Sequence, residues 1–559
     1  MKALAHIQRF WWAPFIFSLL FFSLGLLFLP LTGLQGDEVY FAGAVYHLPI
    51  APIFYVQVFH RQVPLMMLSY LGALKSWIYV VILGLFRPSY WTVRLPALLA
   101  GAASIWIFTR LAGKIHGRTV AWVAGILLAT DTTYLLTSAY DWGPVALQHL
   151  LMLGAMALIY KFKTGGHRSA LFAGFFVFGV AFWDKALFIW VFSGLVIAAA
   201  ILYPRELWSR ASPRNLGLAV AGLLVGALPL VIYNVETNLA TFRSSSSFDV
   251  TQLPSRFVAL RATWRGERLF DFIAHPPWAP GTLLEPDSNL FDISDEIHYL
   301  AGSRFHYFNA LEPAFALALA LLPFLWLTPA RKPMLFCLIV ITVAWLQMAL
   351  TVKAGLGAHH IVLLWPFPHW FMALAFVQAA EWRRLAWKYA GAILLATLVV
   401  FLAGDNLLLT NEYYYQLAAY GPMGSWDDAI FSLSEKIRHV DAPEMAINDW
   451  GIVTPLVVLQ SNSVPLYIVD RSFLAPGRGE ADRNFFIKRL ADDVWIGHTK
   501  PFEADKGVND RIAGLAREAG FEKRLLEVVR DRNGRPVFEI FHFVPSRGAL
   551  PAADKPNRS

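Results

Sequence analysis

The chain has 559 residues, 57% of them hydrophobic and 15% charged, with a formal net charge of +8. Soluble globular chains carry about 25% charge, so an ordinary water-soluble enzyme is excluded. The basic residues sit in loops between apolar runs rather than in one stripe, which argues against a nucleic-acid partner. The single cysteine, Cys337, excludes a disulfide framework and a thiolate metal cluster.

Lys2 and Arg9 precede the first apolar run, Trp11 to Leu31. That run is too long for the core of a signal peptide and has no small-residue cleavage site after it. It predicts a retained first helix with a cytoplasmic N-terminus. Further apolar runs fall near 92–110, 119–138, 143–160, 169–183, 186–203, 215–233, 309–327, 334–352, 359–380 and 389–404. Their lengths predict a polytopic α-helical membrane protein with about eleven transmembrane helices. The stretch 64–86 is also apolar but carries Lys75 and has Pro-containing flanks, and it either spans or lies along the surface as a juxtamembrane helix pair.

Short basic clusters orient the chain: Arg110/Lys114/Arg118, Lys161/Lys163/Arg168, Arg205/Arg210/Arg214, Arg331/Lys332 and Arg383/Arg384/Lys388. The positive-inside rule puts all of them in the cytoplasm if 64–86 does not cross. The opposite face then receives the loops 32–90 and 234–306, the turn at Asp141, the turn at Lys185, the entry at His359 and everything after the last span. The predicted organisation is a membrane domain over 1–408, a soluble α/β domain over 409–545 on the external side, and a polar tail over 546–559. In the α/β domain, short strand-like runs at 444–447, 465–469 and 494–497 alternate with helical stretches such as 509–519. Asn533-Gly534 between two longer runs signals a hairpin. No phosphate-binding glycine-rich loop occurs in it.

Four external elements carry the candidate chemistry. Asp37-Glu38 directly follows the first apolar run, where paired carboxylates either cap a short helix starting at Val39 or serve a reaction at the membrane surface. His60-Arg61 precedes the apolar stretch 64–86. Asp141, in Tyr140-Asp141-Trp142-Gly143-Pro144, stands between two spans and is either functional or an N-cap. Asp184-Lys185 interrupts an apolar run and is either a local ion pair or a functional pair. A carboxylate can act as general base on an acceptor hydroxyl or amine. Cations such as Arg61 and Lys185 can hold a phosphate leaving group, and Arg61 can equally snorkel to headgroups.

The string Asp-Glu-Val-Tyr-Phe-Ala over 37–42 resembles the Asp-Glu motif in the first external loop of protein O-mannosyltransferases and related GT-C glycosyltransferases. His60-Arg61-Gln62-Val63-Pro64-Leu65 is similar to the Glu-Lys-Pro-Pro-Leu-like string of the bacterial members, which include lipid A aminoarabinose transferases. Val93-Arg94-Leu95-Pro96 looks like their Arg-Leu-Pro entry to the second span, and Asp141 and Lys185 stand where the family has an aspartate and a lysine. The ordered resemblance covers about the first 400 residues. It departs at Arg61, where the family has lysine, and at Gln62, where it has proline; arginine is a competent phosphate partner.

The resemblance implies a GT-C fold and an inverting transfer of a sugar from a polyprenyl-phosphate carrier to an envelope acceptor: lipid A, another glycan or a protein. Asp37 would be the general base, Glu38 would orient it or the acceptor, and Asp141 would position the acceptor. Arg61 and Lys185 would face the donor phosphate. An arginine of the loop 234–306 would join them, with Arg256 and Arg261 best placed after Pro254, and His359-His360 would add polar groups near the donor. No cofactor or metal is expected. Adjacent histidines on a helix point about 100° apart and make poor co-ligands, which leaves a divalent metal as the less favoured option. The expected location is the bacterial inner membrane, with chemistry on its periplasmic side. A transporter or flippase of lipid-linked sugars and a non-catalytic envelope assembly protein are the competing readings.

Overall fold

The computed structural model describes residues 12–46, 48, 53–245, 248–301, 308–352, 357–381, 384–440, 442–469, 487–490 and 492–546. It divides into two compact units: Met1–Leu31, Ala51–Pro277 and Glu285–Ala419 form one, and Thr32–Ile50, Trp278–Leu284 and Tyr420–Ser559 form the other.

The first unit is helical. Among the described residues, four helices are long and apolar enough to cross a membrane: Tyr90–His116, Val145–Gly165, Arg331–Leu350 and Tyr389–Tyr420. Four bent pairs bring the total to as many as eight spans, and Ala13–Phe28, Leu74–Leu85 and Leu311–Leu321 are shorter apolar helices. The bends explain why the predicted runs do not map one to one onto spans. The run 119–138 breaks by 57° between Arg118–Ala129 and Thr132–Ala139. There the Asp131 carboxylate accepts the Tyr134 amide at 2.7 Å and starts a new helix. Its other oxygen accepts Trp365 Nε1 at 2.9 Å and lies 3.0 Å from His369 Nε2, so this buried polar group is satisfied.

Close helix packing comes from small residues. A Cβ on Gly179 would lie 2.2 Å from the Leu223 carbonyl oxygen, and one on Gly226 would lie 2.1 Å from that of Phe176. The Arg168–Asp184 and Pro213–Gly226 helices therefore approach backbone to backbone, as small residues permit in membranes.

The expected helix pair over 64–86 is half helix and half strand. Leu74–Leu85 is helical, but Arg61–Leu68 is strand β2, flanked antiparallel by β1 (Phe54–Val58) and β3 (Leu71–Gly72). Two local features defeat the helix. Phe59, with φ of 54°, turns the chain so that Val58 faces Arg61. Pro64 cannot sit inside a helix without breaking it, and it pairs with Tyr55 where the register slips. This small sheet rests on the end of the Arg168–Asp184 helix: Trp183 Nε1 donates to the Leu65 carbonyl at 2.8 Å, and the Ala186 amide donates to that of Tyr70 at 2.9 Å.

The second unit is an α/β domain. Its sheet runs β5-β4-β6-β8-β7, with β4 (Met445–Ile447), β5 (Leu466–Ile468) and β6 (Val494–His498) parallel. The antiparallel hairpin β7 (Phe521–Arg530) and β8 (Pro536–Pro545) completes it, turning at Gly534, whose φ is 78°. Ala446, Trp495, Ile512, Ala516, Phe541 and Phe543 form its core. The helix Arg384–Tyr420 runs unbroken through the boundary expected at 408/409, so the unit begins at Tyr420. The unit also recruits the helix Gly36–Gly43 from far upstream, which packs on Val453–Leu459.

Candidate active site

In the helical unit the candidate residues gather where the helices end and turn. Asp141 adopts a left-handed backbone with φ of 48°, a region that Asp tolerates better than most residues. The turn aims its carboxylate inward: Lys75 Nζ lies 2.8 Å and the Tyr79 hydroxyl 2.7 Å from Oδ2, with both ion-pair partners buried. The helix starting at Val145 has Pro144 at its N-cap and no side-chain cap. Asp141 is therefore a buried ion-pair partner, not a cap. Arg94 is fully buried nearby, donating to the Leu29 carbonyl with its guanidinium 5.0 Å from the Tyr140 ring centroid.

Lys185 is built differently. It follows the Arg168–Asp184 helix in extended conformation, held by a bridge to Leu71, and is 1% exposed. Its neighbour Asp184 does not pair with it. Gln148 Nε2 donates to Asp184 Oδ2 at 2.7 Å, and Oδ1 is buried without a hydrogen-bond partner among the described residues. Lys185 makes no ion pair within 4.0 Å and no hydrogen bond through its ammonium among the described residues.

Two histidines lie within electrostatic reach of this ammonium. His360 lies within electrostatic reach of both Lys185 and Arg256, and the His359 ring is 4.2 Å from that of His360 and 5.1 Å from Trp142. Nδ1 of each histidine and Nε of Arg256 are buried without hydrogen-bond partners among the described residues. Arg256, 2% exposed, donates to Gln252 Oε1 at 2.7 Å and faces no carboxylate within ion-pair distance among the described residues. The Asp249 amide, bonded to the Leu350 carbonyl at 2.9 Å, ties this segment to the end of the Arg331–Leu350 helix.

Arg261 is not part of this group: it pairs with Glu312, which Arg265 shares. Arg61 opens β2, and its side chain lies outside the described residues.

Asp37 and Glu38 belong to the second unit and divide the work that the sequence left open. The helix starts at Gly36 rather than Val39. Gln35 Oε1 accepts the Asp37 and Glu38 amides at 2.6 and 3.1 Å, and Glu38 Oε2 accepts the Gln35 amide at 3.1 Å. This is a capping box, and it occupies Glu38, which is fully buried. Asp37 is reached by solvent and makes no ion pair among the described residues. Crowding by protein pushes its pKa above the ordinary carboxylate value, against the opposing pull of Gln35.

Sequence reasoning missed Lys75 as the partner of Asp141, together with Tyr79, Arg94 and Gln148. The signal was present for Lys75: a lone charge in an apolar run needs a partner.

The fold is that of a polytopic α-helical membrane protein. Residues 72–233, which include Lys75, Asp141 and Lys185, match the family described as dolichyl-phosphate-mannose-protein mannosyltransferase. Among solved structures the chain is similar to ArnT from Cupriavidus metallidurans bound to undecaprenyl phosphate, at 14% identity and a TM-score of 0.54, covering 94% of this chain and 97% of that one. The apo state of the same protein gives 16% identity, coverage of 93% and 97%, and a TM-score of 0.54. A comparison with curated proteins returns no match. The chain thus has the fold of GT-C membrane glycosyltransferases, as the ordered motifs implied.

Proposed function

We propose that this chain is an inverting glycosyltransferase that moves a sugar from a polyprenyl-phosphate carrier to an envelope acceptor at the periplasmic face of a bacterial inner membrane. The observation that carries the proposal is the buried ammonium of Lys185, without an ion-pair partner among the described residues and within electrostatic reach of His359 and His360, the latter also within reach of Arg256. A buried charge without a counter-ion is costly, and a phosphate supplies the missing one.

In the reaction, Asp37 takes the proton of an acceptor hydroxyl or amine as that group attacks the anomeric carbon. The bond from that carbon to the phosphate oxygen breaks, and the electron pair leaves with the phosphate. Lys185 and Arg256 stabilise the charge that develops on it. Attack opposite to departure inverts the configuration. Glu38 holds the helix that presents Asp37, and Asp141, bound to Lys75 and Tyr79, acts as a positioning residue. No step uses a metal.

Purified protein supplied with an undecaprenyl-phosphate sugar and an envelope lipid extract is expected to release undecaprenyl phosphate, and Asp37→Asn is expected to stop the release. Full turnover by Asp37→Asn would refute the role of Asp37. One observation favours a second reading, translocation of a lipid-linked sugar: the four bent helix pairs resemble the broken helices that transporters use. A carrier that crosses liposome membranes with its sugar never released would establish that reading instead.

A further inference from the structure

We propose that Trp450 forms an acceptor subsite that takes a sugar ring, at the start of the helix that carries Asp37. This rests on the transferase reading above and names the acceptor as a saccharide-bearing molecule.

The topology of the α/β unit singles out this place. The chain leaves β4 for β5 through Val453–Leu459 and later returns to β6 on the other side of β4. In open α/β sheets such a reversal leaves a crevice at the carboxyl ends of the strands, and ligands bind there. At the carboxyl ends of β4 and β6 stands a fully bonded pair: Asp449 Oδ2 is 2.8 Å from His498 Nδ1 and also accepts the Ala504 amide at 2.8 Å. Asp449 Oδ1 accepts the amides of Trp450 at 2.8 Å and Asp505 at 3.0 Å. Gly451 follows with φ of 90°. The loop is thereby pinned from both sides, and what it presents is an indole that is 56% exposed.

A pinned, exposed indole contributes nothing to the core of its own unit. Its surroundings decide what it can receive. A Cβ on Gly36 would lie 3.8 Å from Gly451 Cα and 4.0 Å from Trp450 Cζ2, so the indole adjoins the first residue of the helix that carries Asp37. Ser425 adjoins Gly451 in the same way, at 3.5 Å from a Cβ placed there. The two neighbours so placed, Gly36 and Ser425, are small, which leaves room for a ring over the indole. A pyranose has a face of C–H groups that packs on an aromatic plane, and hydroxyls at its rim that reach a carboxylate. A ring stacked on Trp450 thus lies against the first residue of this helix, one residue before Asp37, the group that is to accept the acceptor's proton.

Saturation-transfer NMR on the full chain in detergent micelles tests this with methyl β-D-glucopyranoside and methyl α-D-mannopyranoside as probes. Ring C–H signals above a micelle-only control are expected, weakened about tenfold by Trp450→Ala and largely kept by Trp450→Phe. Removing an exposed indole opens no core, and an unchanged unfolding midpoint confirms that each variant is folded. No signal from either glycoside overturns the subsite, as does an equal signal from Trp450→Ala. A Trp450-dependent signal from phospholipid bicelles or from a peptide, with none from the glycosides, also overturns it. If the glycosides bind through Trp450 but sugar never leaves the carrier, the subsite stands and the transferase reading falls.

Discussion

Lys185 and Lys75 are both buried lysines of the helical unit, and neutralising them should affect stability differently. Lys75 Nζ sits 2.8 Å from Asp141, with the side chains 6% and 2% exposed. Lys75→Met leaves that carboxylate buried without its cation, and breaking a buried pair in this way costs about 3–5 kcal/mol. Lys185 has no ion-pair partner within 4.0 Å among the described residues and is 1% exposed. Lys185→Met removes a buried ammonium that has only the longer-range attraction of Asp184, and is expected to leave the empty protein about as stable as before. The same change removes one partner from a buried charge pair in the donor complex, a loss of about 2–5 kcal/mol, or roughly 30-fold or more in affinity. Thermal unfolding in detergent reads the first effect, and calorimetric titration with undecaprenyl phosphate reads the second. If Lys185→Met destabilised the empty protein as much as Lys75→Met, the ammonium would already have a protein counter-ion, and the argument for a phosphate site would fail.

In its proposed role as base Asp37 works only when deprotonated, and its pKa is raised by its crowded surroundings. Turnover should therefore fall as pH drops through a value above the ordinary 3.8, and Asp37→Asn should lose both this limb and about 10²–10⁴-fold in rate; a limb unchanged in residual Asp37→Asn activity would assign it to another group. Glu38→Ala removes the capping box and should cost about 1 kcal/mol in the α/β unit, with kcat lowered because Asp37 loses its fixed orientation; unchanged stability and kcat would refute the capping role. Arg256→Ala should raise the KM for the donor at least tenfold, by analogy with a lost charge-assisted bond of about 1.5–3 kcal/mol. Arg261→Ala should change it little, because Arg261 pairs with Glu312, which keeps Arg265; equal effects of the two substitutions would place the phosphate elsewhere.

Much of this arrangement is legible in the sequence because hydropathy and charge report solvent directly. The apolar runs, the basic loops and the Asn533-Gly534 hairpin follow from local chemistry. The helix breaks were not legible, because Asp131 reads as a lone polar residue until Trp365 and His369 are seen to bind it. β2 was hidden by composition: Val63-Pro64-Leu65-Met66-Met67 is as apolar as a helix face, and the reversal at Phe59 that makes it a strand has no strong turn residue. At the site, residue types identified Asp37, Asp141 and Lys185 as candidates but not their states. Whether a buried charge is paired depends on neighbours from distant segments, such as Lys75 for Asp141 and Gln148 for Asp184.

Those neighbours explain how a buried cation can stay without a direct ion pair beside a carboxylate. An Asp next to a Lys in a low-dielectric interior should collapse into an ion pair, since attraction there is far stronger than in water. Here the backbone separates them. Asp184 ends a helix, while Lys185 is extended, with φ of −152°, and bridged to Leu71. Gln148 then supplies Asp184 with an amide donor, and Lys75 is drawn to Asp141 instead. Each carboxylate thus has a direct partner other than Lys185. The consequence is a buried ammonium with no ion pair within 4.0 Å among the described residues, the state that the proposed phosphate role calls for.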